Sequence, residues 1–287
     1  MLEGKHIIFK GAGDFASGAI RRLNMAGARV VATELQKPLN VRREVSFSES
    51  VWRGSMTVEG VNAELADFGG IDAVLGRGNI AVIVDPVCSI LKSRKFDILV
   101  DGIMAKRNTG TKITDAPIVL ALGPGFCAGK DCHAIIETLA GHDLGRVIYE
   151  GEAAPDTGIP ALPEAYLGPC TMSPSSAGIP VISKGVVLRA PADGVFKGKK
   201  KIGDIVEAGD VLGNVGGVEL KADIKGVLRG LMHDGVTVKK ELKLGDVDPT
   251  CDVKRAFTIS EKSNAIAGGV LEACLHLSRK MSAGTGI

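Results

Sequence analysis

Short apolar runs alternate with helical stretches over the first 151 residues, and this alternation constrains the fold more than any other feature. The expected strands cover residues 6–10, 28–34, 80–86, 96–102, 116–123 and 146–151, and the expected helices cover residues 14–26, 87–95 and 131–140. Apolar strands separated by helices are typical of a parallel sheet whose two faces are both covered. We therefore expect an α/β fold in which this part of the chain forms a Rossmann-like, doubly wound parallel sheet.

The alternation is interrupted between residues 45 and 66. Apolar and polar residues alternate there on both sides of the pair Glu59-Gly60, which predicts a β-hairpin. We expect this hairpin to be an insertion into the sheet.

The second part of the chain has a different composition. Residues 155–183 are rich in proline, glycine and serine and have no periodicity, which predicts a linker. From residue 184 to 248, two similar modules of short strands predict an all-β domain with an internal repeat. Residues 257–280 predict a strand-like start and a helix that Ser260 caps. The predicted parts are a domain at 1–160, a linker at 161–183, a β domain at 184–249, and a C-terminal strand and helix at 250–287 that pack back on the first domain.

The stretch Gly11-x-Gly13-x-x-Ala16 lies between the first predicted strand and the first predicted helix. In dinucleotide-binding folds the first glycine makes the tight turn, the second lets the backbone approach a pyrophosphate, and the helix N-terminus offers free N–H groups. Glu34 ends the second predicted strand, where an acidic residue binds a ribose hydroxyl. Asp14 argues against a phosphate, because its carboxylate repels one unless it caps the helix. The stretch is therefore either a phosphate-binding loop or a tight turn.

Other polar and glycine residues also lie where predicted strands end or loops begin. In an open parallel sheet the ligand crevice lies beyond the carboxyl ends of the strands. The candidate cofactor-binding residues are Gly11, Gly13, Asp14, Glu34, Arg42, Arg43, Asp85, Asp101, Lys106, Arg107, Asn108, Gly123, Gly125, Asp131, His133 and Glu137. Each one alone could equally be a turn residue or a solvated charge, but basic residues beside glycine loops favour a polyanionic ligand.

Cysteine and motif patterns argue against several kinds of site. Six cysteines are scattered without a C-x-x-C pair, which favours free thiols. Cys127 and Cys132 lie near His133, but the sequence supplies no clear further ligand, so we predict no metal site. The chain has no G-x-S-x-G, G-x-x-x-x-G-K-[ST] or H-E-x-x-H motif, which argues against hydrolase and NTPase classes. No nucleophile with its base can be identified, and the catalytic residues are unknown.

Composition argues against two classes of partner. A net charge of +2 and 4% aromatic residues give no reason to expect nucleic acid. No apolar run approaches the roughly 20 residues that cross a bilayer, and the N-terminus lacks a secretory signal pattern. We expect a cytoplasmic protein without a membrane partner.

The two β modules resemble the biotinyl/lipoyl carrier barrel. The resemblance lies in APADGVF, IGDIVEAGDVLGNVGG and VELKADIKGVLRGLMHDGVTVKKELKLGDVD. Carriers hold the modified lysine in the hairpin between the halves, but here that hairpin is Gly216-Gly217-Val218, and Lys221 lies in the following strand. The resemblance implies a biotinyl/lipoyl-like barrel-sandwich domain without an acceptor lysine, with a docking or structural role.

Almost the whole chain resembles the YqeB-type proteins. The resemblance lies in KGAGDFASGAIRRLNMAGARVV, VDGIMAKRNTGT, LGPGFCAGKDCHAIIETLAGHDLGRVIYEG and ISEKSNAIAGGVLEA, with residues 164–182 as an insertion. These proteins are labelled accessory proteins of the selenium-dependent molybdenum hydroxylase system. The resemblance implies a role in maturing a molybdoenzyme or its cofactor, a molybdenum hydroxylase as client, and a phosphate-rich ligand such as molybdopterin dinucleotide or another nucleotide.

Two other functions stay open at the level of sequence. The glycine loop and Glu34 also fit an NAD(P)-dependent oxidoreductase, although no set of hydride-transfer partners is visible. A non-catalytic binding or scaffold protein is the third reading. The sequence therefore leaves open whether the chain is an enzyme and whether it forms homo-oligomers.

Overall fold

The computed structural model describes residues 2–156 and 186–284. The chain divides into two compact units. Unit 1 comprises Met1–Pro38, Val45–Thr157 and Ile259–Ile287, and unit 2 comprises Leu39–Glu44 and Gly158–Thr258. The linker predicted at 161–183 and the insertion at 164–182 lie outside the described residues.

Unit 1 is built on a nine-stranded sheet with the order β10-β9-β7-β6-β1-β2-β5-β4-β3. Its strands are β1 (His6–Lys10), β2 (Arg29–Glu34), β3 (Ser55–Val58), β4 (Val61–Ala66), β5 (Ile80–Val84), β6 (Ile98–Asp101), β7 (Ile118–Leu122), β9 (Ala134–Ile136) and β10 (Val147–Ile148). Two further strands, β8 (Cys127–Ala128) and β11 (Gly151–Glu152), pair separately. The inner strands pair in parallel, whereas the edge pairs β3–β4 and β9–β10 are antiparallel.

The predicted fold class is wrong. The sheet is mixed rather than a doubly wound parallel sheet, and helices do not fill the crossovers in the predicted way. The predicted helix at 87–95 is only a 3₁₀ turn, Ser89–Lys92. The predicted helix at 131–140 is replaced by strand β9. Pairing with β7 decides that segment, because it buries Ile135 on one face of the sheet and Ile136 on the other.

Four helices belong to unit 1: α1 (Asp14–Met25), α2 (Ser50–Arg53), α3 (Ile71–Gly76) and α4 (Glu261–Ser282). The long helices α1 and α4 pack against each other and bury their apolar sides on the face of the sheet that carries Phe9 and Val100. The opposite face carries Ile8 and Leu99 and packs against α3 and the loops. The side chain of Ser260 accepts a hydrogen bond from the N–H of Ser263, 3.1 Å, so the predicted cap of α4 is confirmed.

In its described residues, unit 2 contains two antiparallel four-stranded sheets, β12-β19-β17-β14 and β16-β15-β13-β18. Its strands are β12 (Val187–Arg189), β13 (Gly194–Gly198), β14 (Ile205–Val206), β15 (Val211–Val215), β16 (Val218–Lys221), β17 (Gly226–Leu231), β18 (Thr237–Val238) and β19 (Lys243–Asp248). The short segment Leu39–Glu44 joins this unit, since the N–H of Leu231 donates to the carbonyl of Val41, 2.8 Å. Within residues 2–156 and 186–284, no helix has the length and apolar character that a membrane crossing needs.

Candidate functional site

The candidate site lies at the edge of unit 1 where its parallel strands end. We call this edge the rim: the residues that end or directly follow β1, β2, β5, β6, β7 and β9. The strand order changes direction at β1, with β2 on one side and β6 on the other. Such a change separates the loops that follow the two neighbouring strands and opens a crevice between them.

The glycine loop between β1 and α1 is closely fitted to the loop after β6. Gly11 has φ +85°, and a Cβ atom on it would lie 3.2 Å from both the carbonyl oxygen of Gly102 and the Cα of Ile103. A larger residue at this position would therefore be strained and crowded at once. The structure uses Gly11 to bring the backbones of two loops together.

The start of α1 leaves backbone donors unused. Gly13 is the N-cap residue, with φ −67° and ψ 179° and no side-chain cap hydrogen bond. Asp14 is the first helical residue, so it is not the cap. In the described part of the chain, the N–H groups of Asp14, Phe15 and Ala16 have no acceptor. These donors and the helix dipole make the rim beside Gly13 favourable for an anion.

Glu34 shapes the glycine loop. One of its carboxylate oxygens accepts from the N–H of Ala12, 2.8 Å, and the other accepts from the N–H of Leu35, 2.9 Å. The side chain is buried. Glu34 therefore lies beside the glycine loop, where the sequence predicted it. Both of its carboxylate oxygens, however, accept hydrogen bonds from backbone N–H groups, so the side chain holds the loop in place and does not point toward a ribose.

Segment 46–50, which belongs to the predicted insertion, also contacts the glycine loop. The carbonyl of Ala12 accepts from the N–H of Ser48 and from the hydroxyl of Ser17, both at 3.0 Å. The same hydroxyl accepts from the N–H of Phe47, 2.8 Å. The insertion is therefore part of the wall of the site, which the sequence did not indicate.

Asp85, at the end of β5, orders the turn that follows it. Its carboxylate accepts from the hydroxyl of Ser89, 3.0 Å, and from the N–H of Ile90, 2.9 Å. Asp131 does the same in another turn, where it accepts from the N–H of Cys127, 2.8 Å. Both carboxylates are occupied by neighbouring donors.

Glu137 follows β9 at the rim and is buried. It accepts three backbone hydrogen bonds, from the N–H groups of Thr138 and Leu139 at 2.7 Å and of Ala154 at 2.8 Å. Three such charge-assisted hydrogen bonds hold the carboxylate firmly in one position. Glu137 therefore organises the backbone after β9.

His133 lies at the other end of β9, away from the rim. Its Nδ1 accepts from the N–H of Val119, 2.9 Å, and burial lowers the pKa of its imidazole. In the predicted helix 131–140, His133 and Glu137 would be four residues apart and would lie on the same face. In a strand the two residues flank opposite ends of β9, so they are not brought together.

Arg42 and Arg43 belong to unit 2 rather than to the rim of unit 1. Arg42 Nε lies 3.3 Å from Oδ2 of Asp246, and Arg43 Nε donates to the carbonyl of Leu231 at 2.7 Å. Both side chains have partners inside unit 2. The sequence placed them after β2, but the chain leaves unit 1 at Pro38.

A buried polar row lies at the ends of β1, β2 and β6, and the sequence pattern indicated only part of it. Lys10, Thr33 and Asp101 are direct neighbours on β1, β2 and β6. Lys10 Nζ donates to the hydroxyl of Thr111, 2.5 Å, and lies 3.4 Å from Oδ2 of Asp101. The same hydroxyl donates to Oδ2 of Asp101, 2.5 Å. The local signals were Asp101, a predicted site residue, and Lys10, a charged residue at the end of an otherwise apolar strand.

The loop after β6, residues 102–111, carries the cationic side chains of the rim. We call it the rim loop. Lys106 forms an exposed ion pair with Asp156, whereas Arg107 is exposed and has no partner in the described part of the chain. The glycine-proline-glycine loop after β7 lies against it, because a Cβ on Gly125 would be 2.5 Å from the backbone of Arg107. Gly123, in the same loop, has φ +71° and donates its N–H to the carbonyl of Ile136, 2.9 Å.

Two of the cysteines of unit 1, Cys88 and Cys132, are buried free thiols. Burial raises the pKa of the Cys88 thiol and of the Cys132 thiol to about 12, so both stay protonated at neutral pH. Over the described ranges, no group of three or more His, Cys, Asp or Glu side chains could hold a metal ion.

Comparison with known proteins gives one strong relative. The chain is 44% identical over 272 residues to the protein named uncharacterized protein YqeB from Escherichia coli K12. The chain resembles YqeB. The match covers 94% of this chain but 47% of YqeB, so the chain spans about half the length of this relative. The resemblance to YqeB-type proteins is thereby confirmed, and it carries no stated activity.

The other comparisons add no functional assignment to the resemblance to YqeB. No family model matches the chain. Among the solved structures that match weakly, three each align over 85% of both chains. They are a succinylglutamate desuccinylase/aspartoacylase from Rhodobacter sphaeroides (15% identity, TM-score 0.26), the ectoine utilization protein EutE (DoeB) from Ruegeria pomeroyi (14%, 0.23) and a succinylglutamate desuccinylase from Silicibacter sp. TM1040 (14%, 0.23). Such TM-scores assign neither a fold nor an activity to this chain.

Proposed function

We propose that unit 1 binds a phosphate-bearing ligand at its rim, either molybdopterin dinucleotide or another nucleotide, and that the protein is an accessory factor in the maturation of a molybdenum hydroxylase. The ligand class is supported by the start of α1, where the N–H groups of Asp14, Phe15 and Ala16 have no acceptor in the described part of the chain. The accessory role rests on what the sequence resemblance to YqeB-type proteins implies, since the similar Escherichia coli protein has no stated activity of its own.

The acidic residues of the rim do not oppose an anion as strongly as their number suggests. Glu34, Asp85 and Glu137 all accept hydrogen bonds from nearby backbone N–H groups. Asp101 is balanced by Lys10 and Thr111. Charge that is matched by buried donors contributes little repulsion at the surface. Asp14, the first residue of α1, differs from these four acids, because the described part of the chain supplies no partner for its carboxylate.

The rim loop carries two exposed cationic side chains that can bind phosphate groups. Arg107 is exposed, and an arginine fork binds phosphate oxygens in pairs. Lys106 is also exposed, and its ion pair with Asp156 is of the weak, solvent-screened kind that a stronger anion can displace. Backbone donors on one side and cations on the other would hold a pyrophosphate group between them.

The proposed function is one of binding. The buried Cys88 and Cys132 keep their protons, His133 lies at the opposite end of its strand, and the strand-end carboxylates are used by the backbone. None of these groups pairs an exposed nucleophile with a base, and those at the rim order the backbone. This arrangement suits a protein that holds a cofactor for another enzyme.

A thermal-unfolding panel tests the proposal. The purified chain is heated alone and with molybdopterin cytosine dinucleotide, CTP, ATP, NAD or NADP. By mass action a specific ligand at 100 times its Kd adds about 2.7 kcal/mol to the free energy of unfolding. A selective shift with the pterin dinucleotide is expected. A shift with NAD alone would favour an oxidoreductase instead, and a flat panel would remove the ligand proposal.

A further inference from the structure

The two ends of the rim loop are attached to a single carboxylate. Oδ1 of Asp101 accepts from the N–H of Ile103, 3.2 Å, at the start of the loop. Oδ2 accepts from the hydroxyl of Thr111, 2.5 Å, at its end. The residues between these two points are mostly exposed, and Met104 and Lys106 have positive φ, +60° and +59°. The loop is thus fixed at its ends and open to solvent in the middle.

The hydroxyl of Thr111 is hydrogen-bonded both to the carboxylate of Asp101 and to the buried ammonium group of Lys10. A hydroxyl has one proton to donate and two lone pairs to accept with. Thr111 gives its proton to Asp101 and accepts from Lys10 Nζ, 2.5 Å. Lys10, Asp101 and Thr111 expose only 6%, 2% and 2% of their surface. A buried ammonium and carboxylate persist only when they are paired in this way, so the position of Thr111 is strongly determined.

Asn108, the residue after Arg107, is hydrogen-bonded to the backbone of Thr111, so the position of Thr111 determines that of the neighbouring Arg107. The amide oxygen of Asn108 accepts from the N–H of Thr111, 2.8 Å, and its amide nitrogen donates to the carbonyl of Thr111, 2.8 Å. Asn108 is therefore held to Thr111 from both sides. Arg107 is its direct neighbour and lies against Gly125.

We propose that Lys10, Asp101 and Thr111 form a positioning cluster that sets where Arg107 stands at the rim, without touching the ligand themselves. The inference rests on the proposed function for its ligand, a phosphate-bearing anion. Lys10 is too buried to reach such a ligand, and its ammonium is already used by Thr111 and Asp101. Its role is to hold the rim loop in the arrangement that binds.

Thr111→Val is the variant that tests this cluster, because it removes the hydroxyl and keeps the shape and the direct Lys10–Asp101 pair. Trypsin cleaves after Lys106 and Arg107, so the rate of cleavage at these two exposed sites reports directly on the rim loop. We expect Thr111→Val to raise that rate about tenfold or more, since the hydroxyl's two buried hydrogen bonds, to Lys10 and Asp101, are lost. Thr111→Ser keeps the hydroxyl and should restore the parent rate. Thr109→Val, an exposed threonine of the same loop, is the matched control and should change nothing.

A binding measurement separates positioning from general stability. The probe is inorganic pyrophosphate, titrated at several salt concentrations. Thr111→Val should weaken binding and reduce its salt dependence as Arg107→Ala does, while Thr111→Ser behaves like the parent. Unchanged cleavage in Thr111→Val, or cleavage that rises equally at every site in the protein, would overturn the inference. If the parent does not bind pyrophosphate or any nucleotide, the proposed function fails, but the cleavage result still decides whether the cluster positions the loop.

Discussion

The carboxylate of Glu34 accepts a hydrogen bond from the backbone N–H of Ala12 at 2.8 Å. This bond joins the end of β2 to the middle of the glycine loop, twenty-two positions earlier in the chain. An acidic residue at this position is usually read as a ribose contact. Here it fixes the conformation of the loop whose free N–H groups make the candidate anion site.

Replacement of Glu34 by glutamine should destabilise unit 1. The glutamine amide has one oxygen that accepts and one NH₂ group that donates. Either the N–H of Ala12 or the N–H of Leu35 would then face this NH₂ group and lose its hydrogen-bond acceptor. A loss of about 1–3 kcal/mol in the free energy of unfolding is expected. Urea unfolding measures it, with Glu152→Gln as a control at an exposed glutamate. Equal stability of the two variants would contradict the role given to Glu34.

Arg107→Ala should weaken binding of a phosphate ligand and make the remaining binding less sensitive to salt. An exposed arginine that contacts phosphate contributes through charge, and salt screens that contribution. Calorimetric titrations between low and high salt measure both effects. Arg29→Ala removes an exposed arginine at the opposite edge of the sheet and serves as the control. A salt dependence equal to that of the parent would show that Arg107 does not face the ligand.

Acid should destabilise unit 2 through Asp246. Burial alone would raise the pKa of this carboxyl, but Lys243 and Arg42 outweigh it and lower the pKa to about 2. Because the folded pKa lies below the unfolded value of about 3.9, the ionised side chain stabilises the fold above pH 4. That contribution, about 2.5 kcal/mol, is lost as the pH falls from 4 to 2.

Denaturant unfolding at pH 6, 4, 3 and 2 measures this loss. Asp246→Asn should be less stable at pH 6 and show a shallower dependence on pH below 4. Asp234→Asn is a control at a more exposed aspartate of the same unit. A pH profile of Asp246→Asn identical to that of the parent would contradict the assignment.

Local sequence patterns predicted several elements of unit 1 correctly. Strand β1 and helix α1 lie where apolar runs and periodicity placed them. The hairpin around Glu59-Gly60 is formed by β3 and β4, and both turn residues have positive φ. These features depend on neighbouring residues and their turn chemistry, which the sequence displays directly.

Elements that depend on distant partners could not be predicted. The segment 131–140 has helical spacing, but pairing of β9 with β7 decides its structure. Arg42 follows β2 in the chain, yet its partner is Asp246, 204 positions away. Lys10 and Thr111 are 101 positions apart and meet only in the folded unit. One sequence carries no record of such pairings, so the buried row at the rim appeared only in the structure.

Gly13→Val should abolish ligand binding and leave unit 2 folded. Gly13 has φ −67° and ψ 179°, an extended conformation that any residue adopts, so valine introduces no backbone strain. Its side chain would stand beside the free N–H groups of Asp14 and Phe15 and block a phosphate. Gly76→Val is the matched control, because a Cβ there meets nothing within 4 Å.

The most direct measurement is a calorimetric titration of the parent, Gly13→Val and Gly76→Val with molybdopterin cytosine dinucleotide, repeated with CTP. Binding by the parent and by Gly76→Val, together with at least about a hundredfold loss in Gly13→Val, is the predicted result, because a blocked phosphate site loses several charge-assisted hydrogen bonds at once. Equal affinity in all three proteins would place the ligand elsewhere, and no binding by the parent would contradict the anion site at the glycine loop.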